Sequence, residues 1–151
     1  MRFAIPAVVV ILLMTQIPVC ASGLDGKVPD QQSIDVLATK AREAQPREQC
    51  FLYAELVHEM TELSVRQYAA GDVEKAAELL KQIQGLTQKI HLSVADKDKR
   101  MRNAEILLRH TAFRLTGLLH STSFDDQSLV AETLADVNRV QSETMMQVFR
   151  K

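Results

Sequence analysis

The clearest candidate for metal chemistry is Glu55-Leu-Val-His58, which has the Glu-x-x-His spacing found on ligand helices of carboxylate-bridged di-metal bundles. Such a site needs a second copy of the motif and carboxylates from two other helices. No glutamate stands three residues before any of the other histidines, which are His91, His110 and His120. At about 100° per residue, Glu55, His58 and Glu62 also fall opposite the apolar face of their helix. We therefore expect a solvated acidic face here and no metal site.

The sequence contains no other motif typical of an enzyme or of a cofactor site. It lacks a Gly-rich phosphate loop and a Gly-x-Ser-x-Gly nucleophile elbow, and removal of the signal peptide predicted below would leave no second cysteine for a zinc or redox pair. No paired carboxylates fall on the predicted core faces, where they could act as general acid and base. Met60 and Met101 lie on predicted core stripes, which favours packing over copper binding. We predict a non-enzymatic protein without catalytic residues or a cofactor.

The N-terminus predicts export. Arg2 provides a positive n-region, residues 3–14 an apolar h-region, and Val19-Cys20-Ala21 a small-residue cleavage pattern, so we expect cleavage after Ala21. The apolar run ends at Val19 and falls short of the roughly 20 residues that a transmembrane helix needs. A retained N-terminal anchor is the alternative. Residues 17–20 resemble a lipobox, but Val19 stands where a small residue is expected. We predict a periplasmic or secreted protein with no stable membrane insertion after cleavage.

Charge and cysteine content narrow the possible partners. The chain has 18 basic and 19 acidic residues, and cleavage would remove only one charge, that of Arg2. A chain so close to neutral has no global electrostatic reason to bind nucleic acid or an anionic membrane. Cleavage would also remove Cys20 and leave Cys50 as the remaining cysteine, so no internal disulfide is expected. Cys50 is then either a small packed side chain or the site of an intermolecular disulfide.

The longest helical pattern runs from Gly71 to Ser121. Small or apolar residues recur there at alternating steps of four and three, broken only at Lys97. They are Ala76, Leu80, Ile83, Thr87, Ile90, Val94, Met101, Ala104, Leu108, Thr111, Leu115 and Leu118. Such a stripe lies on one side of a helix, or of two helices in series, and must be covered by other helices.

One uninterrupted helix over residues 72–121 would be about 75 Å long. That length exceeds what a compact domain of this size can hold, unless the helix projects or dimerises as a coiled coil. The polar run Asp96–Arg100 interrupts the apolar composition. We predict a break or sharp bend near residues 95–97, and the continuous helix remains the alternative.

Glycine, proline and capping residues divide the rest of the chain. Residues 22–32 are predicted to form a flexible leader, and Ser33 to cap a short helix that ends before Gln45-Pro46. Pro46 suits the first turn of a second helix, which should end at Ala69 or Ala70. Gly71 is predicted to end this helix in a left-handed conformation while Asp72 caps the next one. So short a connection predicts an antiparallel helical hairpin.

A last turn over residues 121–127, with Ser123 or Asp125 as the cap, predicts a final helix. Its inward side carries Val130, Thr133, Leu134, Val137, Val140, Thr144 and Val148. No segment shows the alternation of an amphipathic strand. The predicted class is all-α, with residues 33–151 forming one antiparallel helical bundle of four main helices plus a short N-terminal helix.

The helix around Ala104 carries a second apolar strip on the side opposite its core stripe. Ile106 and Phe113, seven residues apart, form this strip. Basic residues flank it, so the candidate partner surface comprises Arg102, Ile106, Arg109, His110, Phe113 and His120. One interpretation is that the short first helix packs on this strip. The other is a partner surface, since interfaces favour aromatic and arginine residues, and the basic excess would suit an acidic or anionic partner.

The segment Tyr68–Leu80 resembles the turn and second helix of a tetratricopeptide repeat. Those repeats place a glycine at the hairpin turn and an alanine soon after it, matched here by Gly71 and Ala76. The resemblance covers about residues 51–90 and implies an antiparallel hairpin that can serve protein binding.

Two functional hypotheses follow from the sequence. The leading one is a non-enzymatic, exported helical bundle that acts as an interaction or assembly module, through a protein partner or self-association. The alternative is a periplasmic sensor or carrier that binds a metal or small ligand through its histidines, with His110 and His120 as the residues to test.

Overall fold

The computed structural model describes residues 28–96 and 99–150. Within these ranges the chain forms five helices and no strand: α1 (Gln31–Glu43), α2 (Pro46–Ala70), α3 (Val73–Ser93), α4 (Met101–Ser121) and α5 (Phe124–Phe149). The predicted all-α bundle of four main helices with a short N-terminal helix is confirmed. The predicted signal peptide, its cleavage site and the leader through Lys27 lie outside the described residues.

The predicted break between the third and fourth helices is confirmed. α3 ends at Ser93, a 3-10 turn follows over Val94–Asp96, and α4 begins at Met101. Val94 is buried, and the Ser93 hydroxyl donates to the Ile90 carbonyl over 2.9 Å. The break is therefore packed against the bundle. The spacing of the apolar residues before and after it nevertheless stays in step.

The helix caps at the turn between α2 and α3 partly follow the prediction. Gly71 has φ 84°, the left-handed conformation that glycine adopts most readily, and its N–H donates to the Tyr68 carbonyl over 3.1 Å. Asp72 occupies the N-cap position of α3, but its carboxylate makes no capping hydrogen bond and lies 3.7 Å from Lys75 Nζ.

The predicted cap of α1 was wrong by three residues. Asp30 is the N-cap, and its carboxylate accepts a 2.7 Å hydrogen bond from the Ser33 backbone N–H. The Ser33 hydroxyl in turn accepts from the Asp30 N–H over 3.1 Å, which completes a capping box. The reciprocal pair places the helix start upstream of Ser33, so the predicted leader is correspondingly shorter.

The four main helices are arranged as a square. α2 and α5 each pack against both α3 and α4. Side-chain contacts between α2 and α4 join residues 51 to 53 positions apart, so these two neighbours run parallel. Contacts between α3 and α5, 49 and 52 positions apart, show a second parallel pair. The connection from α3 to α4 therefore crosses the end of the bundle, where the 3-10 turn contacts α2 and α5.

Several threonines lie in the core with their hydroxyl groups hydrogen-bonded. Thr61, Thr111, Thr133 and Thr144 are fully buried, and each donates to the carbonyl four residues before it over 2.7 to 2.9 Å. This local bonding satisfies the hydroxyl, so the position can lie in an apolar core. Ser64 instead donates across to the Ala76 carbonyl of α3 over 3.1 Å. That bond ties the two helices of the first hairpin together.

A candidate binding groove between helices α2 and α4

A groove of about 620 Å³ lies where the outer edges of α2 and α4 meet. Its lining comprises His58 and Glu62 from α2 and Arg109, His110, Phe113 and Arg114 from α4. Three of these residues belong to the predicted partner surface. The other three were not part of it, so the groove combines Arg109, His110 and Phe113 with residues of a second helix and with Arg114.

The parallel arrangement of α2 and α4 brings these side chains together. His58 and Glu62 are four residues apart and therefore share one face of α2. Arg109 and Phe113 have the same spacing on α4, and His110 and Arg114 repeat it one residue later. Since the two helices run in the same direction, successive turns of α2 meet successive turns of α4 along the groove.

An ion pair closes one side of the groove. Arg114 Nε donates to Glu62 Oε1 over 2.7 Å, and Arg114 Nη2 donates to Glu62 Oε2 over 3.0 Å. This fork geometry matches the two oxygens of a carboxylate and fixes the guanidinium plane. The side chains are 43% and 26% exposed, so solvent screens the pair and its contribution to stability should be about 1 kcal/mol or less.

His58 is anchored by a hydrogen-bond chain. Thr111 Oγ1 lies 2.9 Å from the Leu107 carbonyl oxygen, which can only accept, so the hydroxyl proton points there. His58 Nδ1 lies 3.2 Å from the same Oγ1, which must therefore accept from an Nδ1–H group. The neutral imidazole then carries its lone pair on Nε2.

The same surroundings disfavour a charge on His58. Burial lowers the pKa of His58 below its ordinary value of 6.5, and the nearby His110 and Arg114 act in the same direction. Glu62 and Glu55 oppose this shift without reversing it. His58 is therefore a neutral hydrogen-bonding group at pH 7, and Arg109 supplies the fixed positive charge of the groove, because Glu62 neutralises Arg114.

The expectation that Glu55, His58 and Glu62 form a solvated face was wrong. Glu62 is bound to Arg114, and His58 is half-buried against Thr111. Burial also raises the pKa of the half-buried Glu59, with Glu55 and Glu62 adding to the effect. The periodicity of α2 shows which side of the helix faces the core. It cannot show that the neighbouring helix α4 also covers part of the polar side.

Phe113 is 78% exposed, which makes it the most exposed large apolar side chain on α4. α1 packs on α2, where it buries Ile34 and Ala41, so the interpretation that the first helix covers the outer strip of α4 was wrong. Beside Phe113, Arg109 is 62% exposed, and its ion-pair contact within residues 28–96 and 99–150 is a long one, 3.9 Å to Glu105. An aromatic ring and a guanidinium thus stand together at the surface.

The remaining members of the predicted surface lie apart from the groove. Arg102 and His120 are exposed and Ile106 is half-buried, but none of the three lines the groove. His120 follows His110 by ten residues, or about 15 Å along the helix, which is too far for both to bind one ion. The structure therefore separates the two histidines that the metal-binding alternative combined.

Cys50 lies at the contact between α2 and α4. Its side chain is fully buried, and its Sγ lies 3.7 Å from Met101 Sδ. This position agrees with the interpretation of Cys50 as a small packed residue. A disulfide to a second chain would require α2 and α4 to separate first.

The groove combines two arginines, two imidazoles and an aromatic ring, which suits an acidic ligand that also has an apolar part. Residues 28–96 and 99–150 contain no group of three His, Cys, Asp or Glu residues placed to hold a metal ion. Nor does any helix in these ranges have the length and apolar content needed to cross a membrane.

Comparison with protein-family models, with curated proteins and with solved structures finds no match. The resemblance to a tetratricopeptide repeat therefore rests on the residues of the first hairpin alone. The observed hairpin has the antiparallel form that the resemblance implied.

Sequence reasoning missed His58, Glu62 and Arg114 as groove residues. Each was assigned to its own helix, and no pattern within one helix reveals its spatial neighbour. One available signal was charge complementarity, because the polar edge of α2 is acidic at Glu55 and Glu62 while that of α4 is basic at Arg109 and Arg114.

Proposed function

We propose that the protein is an exported, non-enzymatic helical bundle that binds an acidic segment of a partner protein in the α2/α4 groove. The observation that carries this proposal is the exposure of Phe113 beside Arg109 and His110 on the groove wall. Aromatic and arginine side chains that come together at a surface are the residues that contribute most to protein interfaces.

The distribution of charge favours an acidic partner. Glu62 neutralises Arg114 within the fold, whereas the contact of Arg109 with Glu105, in the part of the chain that the structure describes, is long. Glu105 Oε1, the oxygen that lies 3.9 Å from Arg109 Nε, also accepts a 2.9 Å hydrogen bond from Gln141 of α5, so this oxygen is already engaged elsewhere. A carboxylate of the partner would therefore pair with Arg109, while an apolar side chain next to it would cover Phe113.

Export is supported by the predicted signal peptide at residues 1–21. The test is fractionation of cells that produce the full chain, with N-terminal sequencing of the purified protein. Recovery from the exported fraction with Ser22 at the N-terminus agrees with the proposal. Recovery of the uncleaved chain from the cytosol contradicts it.

The partner surface can be tested by site-specific photo-crosslinking in producing cells. A crosslinking amino acid replaces Phe113 in one strain and Val36, which is 65% exposed on α1, in the control strain. We expect a discrete protein adduct from position 113 that is lost when Arg109→Glu is added. The same adducts from both positions, or none from position 113, would exclude the groove as the partner surface.

A small anionic ligand is a second candidate occupant, and the groove volume favours it. A volume of about 620 Å³ falls within the range of small-molecule pockets, and His58 and His110 line the same cavity. Thermal melting with benzoate and with inorganic phosphate tests this candidate, and melting with Zn²⁺ tests the metal-binding alternative. Stabilisation by one of these probes that disappears in a His58→Gln/His110→Gln variant would favour a carrier or sensor over a protein-binding module.

A further inference from the structure

The α2/α4 groove has an inner end and an outer end. His58 lies at the inner end, half-buried against the fully buried Thr111 of α4. Around the axis of α4, at about 100° per residue, His110 is about 100° from Thr111, and both Phe113 and Arg109 are about 160° from it. Exposure agrees with this order, since Phe113 is 78% and Arg109 62% exposed. An occupant therefore meets the aromatic ring and the guanidinium first and reaches His58 last.

His58 presents a hydrogen-bond acceptor to this groove. Its contact with Thr111 holds the ring proton on Nδ1 and leaves the lone pair on Nε2. The two nitrogens of an imidazole point in nearly opposite directions, so Nε2 points away from Thr111 and the core. Within the described residues no group donates to Nε2, and the atom is not one of the fully buried polar atoms that lack a partner. An occupant of the groove can therefore reach this lone pair.

The charges around His58 keep that lone pair free of a proton at pH 7. Glu55 and Glu62 of its own helix favour the protonated ring, whereas burial and the His110 and Arg114 side chains of α4 disfavour it. Burial has the largest effect, and the pKa of His58 is lowered below 6.5. A neutral acceptor cannot bind a carboxylate, because neither group then has a proton to donate. The acid of a partner and the group that meets His58 must therefore be two different groups.

The group that fits the inner end has an apolar body and a hydrogen-bond donor at its tip. The body lies beside Phe113, where an aromatic ring can stack, and the tip donates to His58. A lysine tip is disfavoured because Arg109 and Arg114 line the same groove. A tyrosine side chain, with its ring and its phenol hydroxyl, meets both requirements.

We propose that the partner segment carries a tyrosine next to its acidic residue, and that the phenol hydroxyl donates to His58 Nε2 while the carboxylate pairs with Arg109. This inference rests on the proposed function, since it specifies which acidic segment the groove selects. His58 is then the residue that determines specificity, and Thr111 is a positioning residue that fixes the imidazole tautomer.

NMR spectroscopy tests the tautomer on the protein expressed from the full 151-residue sequence. Long-range proton–nitrogen spectra with labelled histidine distinguish protonated from unprotonated ring nitrogens. At pH 7 we expect His58 to have a protonated Nδ1 and an unprotonated Nε2. Thr111→Val removes the hydroxyl acceptor and should release this fixed tautomer, whereas Thr111→Ser should keep it. A proton on Nε2 in the unsubstituted protein would overturn the proposal, because His58 would then be a donor.

Two capped synthetic peptides that differ by one hydroxyl group test the specificity. They have the sequences Asp-Asp-Tyr-Asp-Asp and Asp-Asp-Phe-Asp-Asp, and calorimetry measures their binding. We expect the tyrosine peptide to bind about three- to tenfold more tightly, which is the effect of one net hydrogen bond. In His58→Asn the amide can still donate to Thr111 but ends short of the Nε2 position, so this preference should disappear. The matched control is His120→Asn, at an exposed histidine outside the groove, which should keep it.

The preference for tyrosine should also weaken as the pH falls through the pKa of His58, since the protonated ring has no lone pair. A preference that does not change with pH, or that survives in His58→Asn, would mean that another group accepts the hydroxyl. Equal binding of the two peptides would overturn the inference and leave the groove as a site for acidic segments. Binding of neither peptide would overturn it as well, and the photo-crosslink from position 113 would then decide whether the proposed function fails with it.

Discussion

Replacing Phe113 should separate partner binding from stability. A phenylalanine side chain offers about 200 Å² of surface. With 78% of Phe113 exposed, the bundle covers about 45 Å² of the ring, worth about 1 kcal/mol at about 25 cal/mol/Å². The remaining 155 Å² or so would contribute about 4 kcal/mol if a partner covered it completely. The substitution Phe113→Asp should therefore affect binding far more than folding.

The double variant Phe113→Asp/Arg109→Glu also reverses the charge that would meet an acidic partner. We expect affinity for the crosslinked partner to fall at least about a hundredfold, after allowing for incomplete coverage of the ring. The free energy of unfolding should change by about 1 kcal/mol or less. Binding is measured by calorimetry with the identified partner, and stability by urea denaturation followed by circular dichroism.

The matched control is Val36→Asp, which introduces the same charge at a 65% exposed apolar residue of α1. It should alter neither affinity nor stability appreciably. If the double variant keeps full affinity and an intact fold, the groove is not the interface. A loss of several kcal/mol of stability would instead show that Phe113 packs within the bundle.

Three further predictions concern charge and backbone. A double-mutant cycle with Glu62→Gln and Arg114→Gln should give a coupling energy of about 0.5–1 kcal/mol by urea denaturation, and no coupling would mean that the pair is absent in solution. Burial lowers the pKa of His58, so the unfolded chain protonates this imidazole more readily than the folded chain does. The free energy of unfolding should therefore fall as the pH drops below 6.5, and it should fall less in the His58→Gln variant. An equal loss in the variant would exclude His58 as the cause. Gly71→Ala should destabilise the fold by about 1 kcal/mol, because φ is 84° at that position. Gly85→Ala should stabilise the fold by up to about 1 kcal/mol, because this residue lies within α3 and has open space around its Cβ position. Melting curves that show the same sign for both variants would contradict this reasoning.

Periodicity predicted the fold because it reports which side of each helix is buried. The stripe from Ala76 to Leu118 is buried at its predicted positions, and so are Val130 and Val137 on α5. The break after Ser93 followed from a length argument, since one helix over residues 72–121 would not fit a compact domain. These conclusions need only local pattern and domain size.

The groove could not be predicted in the same way, because it depends on which helices are neighbours. The α2/α4 contact joins His58 to Thr111 and Glu62 to Arg114, more than 50 positions apart in the chain. A bundle with successive helices adjacent would have placed α4 beside α3 instead. The packed turn at Val94–Asp96 carries the chain across the end of the bundle, and no residue pattern within a helix encodes that crossing.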